Sequence, residues 1–113
     1  MKKEKTILGL VETIILNDCK VIARIDTGAT VSSIDINLAK KLNLNKVSRM
    51  ATFKSSLGIS ERPLVRAKIE IGDQTIEDEF SLANRKKLTY DMLIGQNILK
   101  KGNFLIDPNK EEE

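Results

Sequence analysis

The sequence has no histidine, no tryptophan and a single cysteine, Cys19, among its 113 residues. Without histidine, the chain cannot build a Ser-His-Asp triad, a Cys-His dyad or a histidine-based zinc hydrolase site. With one cysteine it forms no internal disulfide, which suits a reducing compartment. Any hydrolytic chemistry must therefore rest on carboxylates, hydroxyls, lysines or bound ions.

Aromatic residues and excess charge of one sign are also scarce. Aromatic residues make up 4% of the chain and the net charge is +3. The stacking surface and the basic patch of a nucleic-acid-binding protein are missing, so we expect no nucleic-acid partner. The apolar runs are too short to span a bilayer, and the N-terminus lacks the apolar core of a signal peptide. We therefore expect a cytoplasmic protein without membrane association.

What is present is an ordinary globular composition, 41% hydrophobic and 31% charged. The length fits one domain, which we expect to span residues 1–113 with a core at about 6–108. Charged tails flank that core, with Lys2, Lys3 and Lys5 at one end and Glu111, Glu112 and Glu113 at the other. A chain this short has a modest core and gains stability from oligomerisation.

Alternating apolar and polar residues predict mostly strands. The predicted strands are 6–16, 20–26, 31–34, 47–56, 64–71, 75–82, 92–94 and 104–106, and residues 20–26 are apolar enough to be buried on both faces. Helices are predicted at 35–44, capped by Asp35, and at 96–101. Asn17-Asp18 and Gly72-Asp73 are typical turn pairs. The pattern predicts a mostly β domain with one or two short helices.

Two short motifs carry the chemistry. The strand that ends at Asp26 is followed by Thr27, Gly28 and Ala29, and a second motif, MLIGQNIL, occupies residues 92–99. A D-T-G triplet alone is most often a turn in which the aspartate binds nearby backbone. The two motifs in this order, in a mostly β chain of this length, are far more specific.

Together these motifs resemble the retropepsins, the single-domain aspartic proteases of the A2-like clan typified by the retroviral proteases. The matching stretches are DTGATVSSI, SSLGISERP and LIGQNIL, within residues 21–108. KSSLGISERPLV, FSLANRKKLTYDMLIGQNIL and FLIDP are similar to a cellular family found beside RimK-type ATP-grasp ligases and labelled an ATP-dependent zinc protease. The resemblance implies a homodimeric closed β-barrel and a functional link to an ATP-grasp ligase. No zinc-binding cysteine pair and no phosphate-binding loop is present, so we expect no metal and no cofactor.

The catalytic residue that the resemblance implies is Asp26. Peptide hydrolysis by carboxylates takes two of them sharing one proton, and the chain offers one D-T-G, so two chains must each contribute Asp26 on a twofold axis. The expected active-site loop continues through Thr27, Gly28, Ala29 and Thr30. Thr27 would bond across the interface, and Gly28 would let backbone approach the substrate. Ile94, Gly95 and Asn97 are expected to support this loop from below.

The polar stretch 55–63 is the expected flap, with Ser56, Leu57, Gly58 and Ile59 at its centre. A hairpin there would close over an extended peptide that adds as a strand. The alternative is an ordinary exposed hairpin. Three arginines, Arg62, Arg66 and Arg85, are isolated charges that we expect on solvated faces.

Three functions stay open on the sequence. The first is a homodimeric aspartic endopeptidase that hydrolyses peptide bonds with a water activated by the Asp26 pair. The second is a non-catalytic dimeric module that binds a peptide or a partner. The third is a narrow peptidase or amidase acting with a RimK-type ligase on oligo-glutamate-type tails. Subsite preference does not carry over, because Thr30 and Val31 stand where retroviral enzymes often have an acid that binds substrate backbone.

Overall fold

A computed structural model describes residues 4–111, so the predicted tail residues Lys2, Lys3, Glu112 and Glu113 lie outside the described part. The strands are β1 (Thr6–Leu8), β2 (Val11–Leu16), β3 (Cys19–Ile25), β4 (Ser32–Asp35), β5 (Arg49–Ser55), β6 (Gly58–Ile71), β7 (Gln74–Ala83), β8 (Met92–Ile94) and β9 (Phe104–Ile106). The helices are α1 (Ile36–Lys41) and α2 (Gln96–Lys101). The prediction of a mostly β fold with short helices is confirmed.

The predicted first strand, 6–16, is two strands, so that prediction was wrong. The chain breaks at Gly9, whose backbone N–H donates to Glu12 Oε2 at 2.6 Å. β1 then runs parallel to β9 in a separate two-stranded sheet, while β2 joins the main sheet. The C-terminal segment packs closely here, because a Cβ on Gly9 would lie 3.2 Å from the Lys110 carbonyl oxygen.

The main sheet has seven strands in the order β2-β3-β8-β4-β7-β6-β5. The β3–β8 and β4–β7 pairs are parallel, and the β2–β3, β4–β8, β5–β6 and β6–β7 pairs are antiparallel. β2 also pairs with β6 through Ile15 with Glu70 and Leu16 with Ile69. Because β3 and β8 run parallel, the residues that follow both strands emerge at the same edge of the sheet. The closed barrel stays a prediction.

Two hairpin turns have the predicted residues. Asn17 and Asp18 both have positive φ, 50° and 65°, between the paired residues Leu16 and Cys19. Positive φ at both central positions is the type I′ arrangement, which asparagine and aspartate tolerate better than most residues and which matches the twist of a hairpin. Gly72, at φ 60°, turns the chain between β6 and β7.

The core lies on one face of β3 only. Val21, Ala23 and Ile25 are buried, whereas Ile22 is 49% exposed, so the interpretation that this strand is buried on both faces was wrong. The β8 residue Ile94 and the α2 residue Ile98 are fully buried. β8 and α2 are therefore anchored in the core directly before and after Gly95.

Helix α1 begins where the sequence predicted and ends earlier. Asp35 Oδ2 accepts from the backbone N–H groups of Asn37 at 3.1 Å and Leu38 at 3.3 Å, which is an N-cap worth about 1 kcal/mol. The helix stops at Lys41, and Asn43 turns the chain with a φ of 58°. The predicted extension to residue 44 was wrong, because Asn43 takes the left-handed conformation that commonly ends a helix.

Candidate active site

Asp26 lies at the end of β3, where its backbone is fixed by the neighbouring strand. Its N–H donates to the Ile94 carbonyl at 2.9 Å, which extends the parallel β3–β8 pairing by one bond. Its carboxylate is partly exposed, and Oδ1 accepts from the Gly28 N–H at 2.9 Å. Within residues 4–111 the structure gives Oδ2 no hydrogen-bond donor. One carboxylate oxygen is therefore held by the turn and the other is available.

The Asp26 carboxylate leaves little room for a side chain at position 28. A Cβ at this position would lie 3.3 Å from Asp26 Oδ1, tighter than an ordinary van der Waals contact. Its φ is not in the left-handed region, so space around the carboxylate, not backbone conformation, is what favours glycine here. The Ala29 N–H, which donates to the Asp26 carbonyl at 3.3 Å, completes the turn.

The start of α2 holds the loop through main-chain bonds. The Gln96 N–H donates to the Ala29 carbonyl at 2.7 Å, and the Asn97 N–H donates to the Thr30 carbonyl at 3.2 Å. The Gln96 side chain also donates to the Thr27 carbonyl at 2.8 Å. The structure thus brings the predicted loop residues and the predicted supporting residues together. Their catalytic roles stay predictions.

Gly95 allows this close contact. A Cβ there would lie 2.7 Å from the Ala29 carbonyl oxygen and 3.0 Å from the Val31 carbonyl carbon. Both are backbone atoms, which cannot rotate away as the end of a side chain can. The Gly95 N–H also donates to Ser32 Oγ at 2.8 Å. A side chain at Gly95 would push the loop away from α2.

Asn97 and the buried Ser32 form a polar pair beneath the loop. Asn97 Oδ1 accepts from Ser32 N at 2.9 Å and from Ser32 Oγ at 2.8 Å, while its Nδ2 donates to the Glu79 carbonyl at 2.8 Å. Ser32 is 0% exposed. Sequence reasoning identified Asn97 but missed Ser32. The available signal was the pair of serines in a short strand between apolar residues, since a buried hydroxyl needs a partner.

The predicted flap is a β-hairpin. β5 and β6 pair from Arg49 with Leu64 to Ser55 with Gly58, leaving Ser56 and Leu57 as a two-residue turn. Gly58 has a φ of 125°, which favours glycine. The tip is apolar and open, with Leu57 98% and Ile59 71% exposed. The hairpin is confirmed as structure, and its closing over a substrate stays a prediction.

Arg85 lies near the loop and is buried, so its predicted solvated position was wrong. It is 8% exposed, and burial lowers the pKa of its guanidinium below the ordinary value, against the opposing fields of Asp91, Asp35 and Asp26. Sequence gave no signal of this burial, because the segments that enclose Arg85 are far apart in the chain. By contrast, Arg62 is exposed and stacks over Phe53 at 5.2 Å from the ring centre.

Among residues 4–111, no group of three or more histidine, cysteine, aspartate or glutamate side chains is placed to hold a metal ion. In the same range, neither α1 nor α2 is long and apolar enough to cross a bilayer.

Comparison with known families decides what kind of domain this is. A family model described as RimB-like, retropepsin-like aspartic endopeptidase RimB, matches residues 37–112. The chain belongs to the RimB-like family. The matched segment includes the β5–β6 hairpin, Gly95 and Asn97, and begins after the loop that carries Asp26. The expected resemblance to the retropepsins is confirmed. Among curated proteins, none matches the chain.

Solved structures show the same fold. A Legionella pneumophila protein of unknown function superposes with a TM-score of 0.68 at 23% identity, covering 93% of this chain and 95% of that one. The simian foamy virus protease gives 0.61 at 14% identity, with 80% and 91% covered. The retroviral protease-like domain of Ddi1 from Leishmania major gives 0.58 at 17% identity, with 83% and 75% covered. This RimB-like chain thus has a retropepsin-like fold.

Proposed function

We propose that this RimB-like chain is the protomer of a homodimeric aspartic endopeptidase in which Asp26 from each subunit forms the catalytic pair. The observation that carries the proposal is the state of the Asp26 carboxylate, held through Oδ1 by the Gly28 N–H and available at Oδ2. A carboxylate with one fixed and one available oxygen is suited to sharing a proton with a second carboxyl group. The aspartic peptidase family of the chain supports the same chemistry.

The dimer follows from the chemistry of the pair. Each chain has one D-T-G loop, so two carboxyls in contact require two loops facing each other across a twofold axis. Two carboxyls in contact cannot both ionise easily, so the pair holds one proton and titrates as a unit. The bonds from Gln96 and Asn97 to the Asp26 loop would keep both carboxylates at a fixed separation.

The proposed reaction keeps the proton count unchanged. The ionised Asp26 accepts a proton from water as the water oxygen bonds to the scissile carbonyl carbon, and the protonated Asp26 of the partner subunit donates its proton to the carbonyl oxygen. The resulting diol then collapses. The C–N bond breaks as the leaving nitrogen takes the proton from the first carboxyl, and a diol hydroxyl returns a proton to the second. An acid and an amine are released, and the pair is restored.

The substrate is proposed to be an extended peptide that lies between the loop and the β5–β6 hairpin. The apolar tip residues Leu57 and Ile59 would cover it and exclude water, which strengthens the electrostatic interactions inside. The additional pairing of β2 with β6 supports closure of the main sheet into the expected barrel. A cytoplasmic location is also proposed, because the lone Cys19 suits a reducing compartment.

The test is cleavage of an unbiased peptide library, with an oligo-glutamate peptide as a separate arm, from acidic to neutral pH and read by mass spectrometry. Asp26→Asn should reduce cleavage by about 10²–10⁴-fold or abolish it, because one proton-transfer group is lost. Asp18→Asn, an acid-to-amide change in the turn at the other end of β3, is the matched control and should cleave as the wild type does. Sedimentation should show the same dimer for both variants as for the wild type.

Each remaining outcome selects a different function. Cleavage that survives in Asp26→Asn would refute the mechanism. Cleavage of the oligo-glutamate peptide alone would favour the narrow peptidase that acts with a RimK-type ligase. A dimer that binds peptides and cleaves none would favour the non-catalytic module. If the dimer is weak, activity per subunit should also fall on dilution.

A further inference from the structure

Arg85 is a buried charge that the proposed reaction does not use. It is 8% exposed, and within residues 4–111 no carboxylate oxygen forms an ion pair with its guanidinium within 4 Å. Removing a guanidinium from water without a close counter-ion costs stability. Stability alone therefore does not explain an arginine here, and its contacts indicate what it does.

The guanidinium joins two segments of the chain. Nη1 donates to Ser33 Oγ at 3.0 Å, and Nε donates to the Tyr90 carbonyl at 2.9 Å. The Arg85 backbone N–H donates to Asp35 Oδ1 at 2.8 Å, which fixes the base of the side chain. Ser33 directly follows the Ser32 that holds Gly95 and Asn97. Arg85 thus spans from the strand under the Asp26 loop to the segment that leads into β8.

That segment borders a cavity beside the catalytic loop. Tyr90 lines an open cavity of about 230 Å³ together with Leu10, Val11, Arg24 and Ile25. Ile25 is the residue immediately before Asp26, so the cavity lies at the end of the strand that carries the proposed catalytic residue. The position of Tyr90 sets one wall of this cavity, and the Tyr90 carbonyl is bound by Arg85.

We propose that Arg85 is a positioning residue whose guanidinium, bridging Ser33 and the Tyr90 carbonyl, fixes the Tyr90 wall of the cavity beside Asp26. The inference rests on the proposed function, because the cavity serves catalysis only if Asp26 is catalytic. Arginine is required because its planar guanidinium offers Nε and Nη1 in fixed geometry to two acceptors. A lysine ammonium carries all of its donors on one nitrogen and does not reproduce this bridge.

The first test measures the exposure of the Tyr90 ring and does not depend on enzymatic activity. Tyr90 is the one tyrosine and the chain has no tryptophan, so the tyrosine fluorescence comes from this residue alone. Acrylamide quenching of the full-length protein is compared for wild type, Arg85→Lys and Arg85→Met. In both variants we expect the quenching constant to rise about twofold, as a partly buried ring becomes exposed. Ile76→Val, a buried change at the far end of the β6–β7 hairpin, should leave the constant unchanged.

The second test separates positioning from general stability. With a peptide that the wild type cleaves, kcat/KM should fall about tenfold in Arg85→Lys, chiefly through a higher KM, since the loss is of substrate positioning. Ile76→Val, measured at a temperature where this variant and the wild type are both folded, should retain the wild-type KM. Recovery of wild-type quenching and KM by Arg85→Lys, or unchanged quenching in Arg85→Met, would overturn the proposal. If the wild type cleaves no peptide, the proposed function fails while the quenching result still decides whether Arg85 positions Tyr90.

Discussion

Replacing Gly95 by alanine should loosen the hold of α2 on the Asp26 loop. The new Cβ would lie 2.7 Å from the Ala29 carbonyl oxygen, 3.0 Å from the Val31 carbonyl carbon and 3.1 Å from its oxygen. These atoms belong to backbone, so either the loop or α2 must shift. The φ of Gly95, −105°, suits alanine, and the effect is therefore one of space alone.

The expected change in the free energy of unfolding of Gly95→Ala is the sum of three contributions. Overpacking against fixed backbone costs about 1–3 kcal/mol. Stretching the bonds from Gly95 to Ser32 and from Gln96 to Ala29 costs about 0.5–1.5 kcal/mol each. Alanine returns about 0.4–1 kcal/mol by restricting the unfolded chain. We expect a net loss of about 2–4 kcal/mol, which for a domain of this size lowers Tm by about 8–16 °C.

Thermal unfolding followed by circular dichroism measures this loss, with urea denaturation as a second method. Gly9→Ala is the matched control, because its Cβ would meet Lys110 at 3.2 Å, a milder contact with a segment near the C-terminus. The control should stay within about 1 kcal/mol of the wild type. If Gly95→Ala is as stable as Gly9→Ala, the close contact between α2 and the loop does not exist in solution and the reasoning fails.

Two further predictions concern polar contacts near the same region. Asn97→Ala removes the bonds to Ser32 and to the Glu79 carbonyl and leaves the fully buried Ser32 hydroxyl, which still accepts from the Gly95 N–H, without an acceptor for its proton. It should cost about 2–4 kcal/mol in urea denaturation, and no loss would mean that the amide does not hold the strand. Hydrogen bonds from Arg49 lower the pKa of Glu79 below its ordinary value of 4.5. The stabilisation by this pair is therefore present above pH 4.5 and lost as pH falls through the lowered value. The Tm difference between the wild type and Arg49→Ala should disappear on acidification and shrink in high salt, and a difference that persists in acid would contradict this assignment.

Local signals were enough for the C-terminal part of the fold. The strand 92–94 and the helix 96–101 were predicted to the residue, because Gly95 and Gly102 mark their ends. Asp35 was identified as a cap because a carboxylate before an apolar helical pattern has that one ordinary role. In each case the deciding information lies within a few positions of the residue concerned.

The features that were predicted wrongly or not at all depend on partners that are distant in sequence. The break at Gly9 follows from the pairing of β1 with β9, nearly 100 positions away. The burial of Arg85 depends on Ser33, which no local pattern connects to it. In the candidate site, the meeting of the Asp26 loop with Gly95 and Asn97 was expected only because the family resemblance joined the two motifs, and the resemblance gave no information on Ser32.

The continuity of β6 limits how the β5–β6 hairpin can move. The strand runs unbroken from Gly58 to Ile71, with its first five residues exposed and most of the remainder in the core. The exposed arm of the hairpin and a strand of the core are thus one continuous strand. We expect it to bend first at Pro63, which stands at the boundary and has no backbone N–H to donate to the ladder. Residues 56–57 lie outside the strand pairing. Insertions there would lengthen the tip of the hairpin without changing the β5–β6 register.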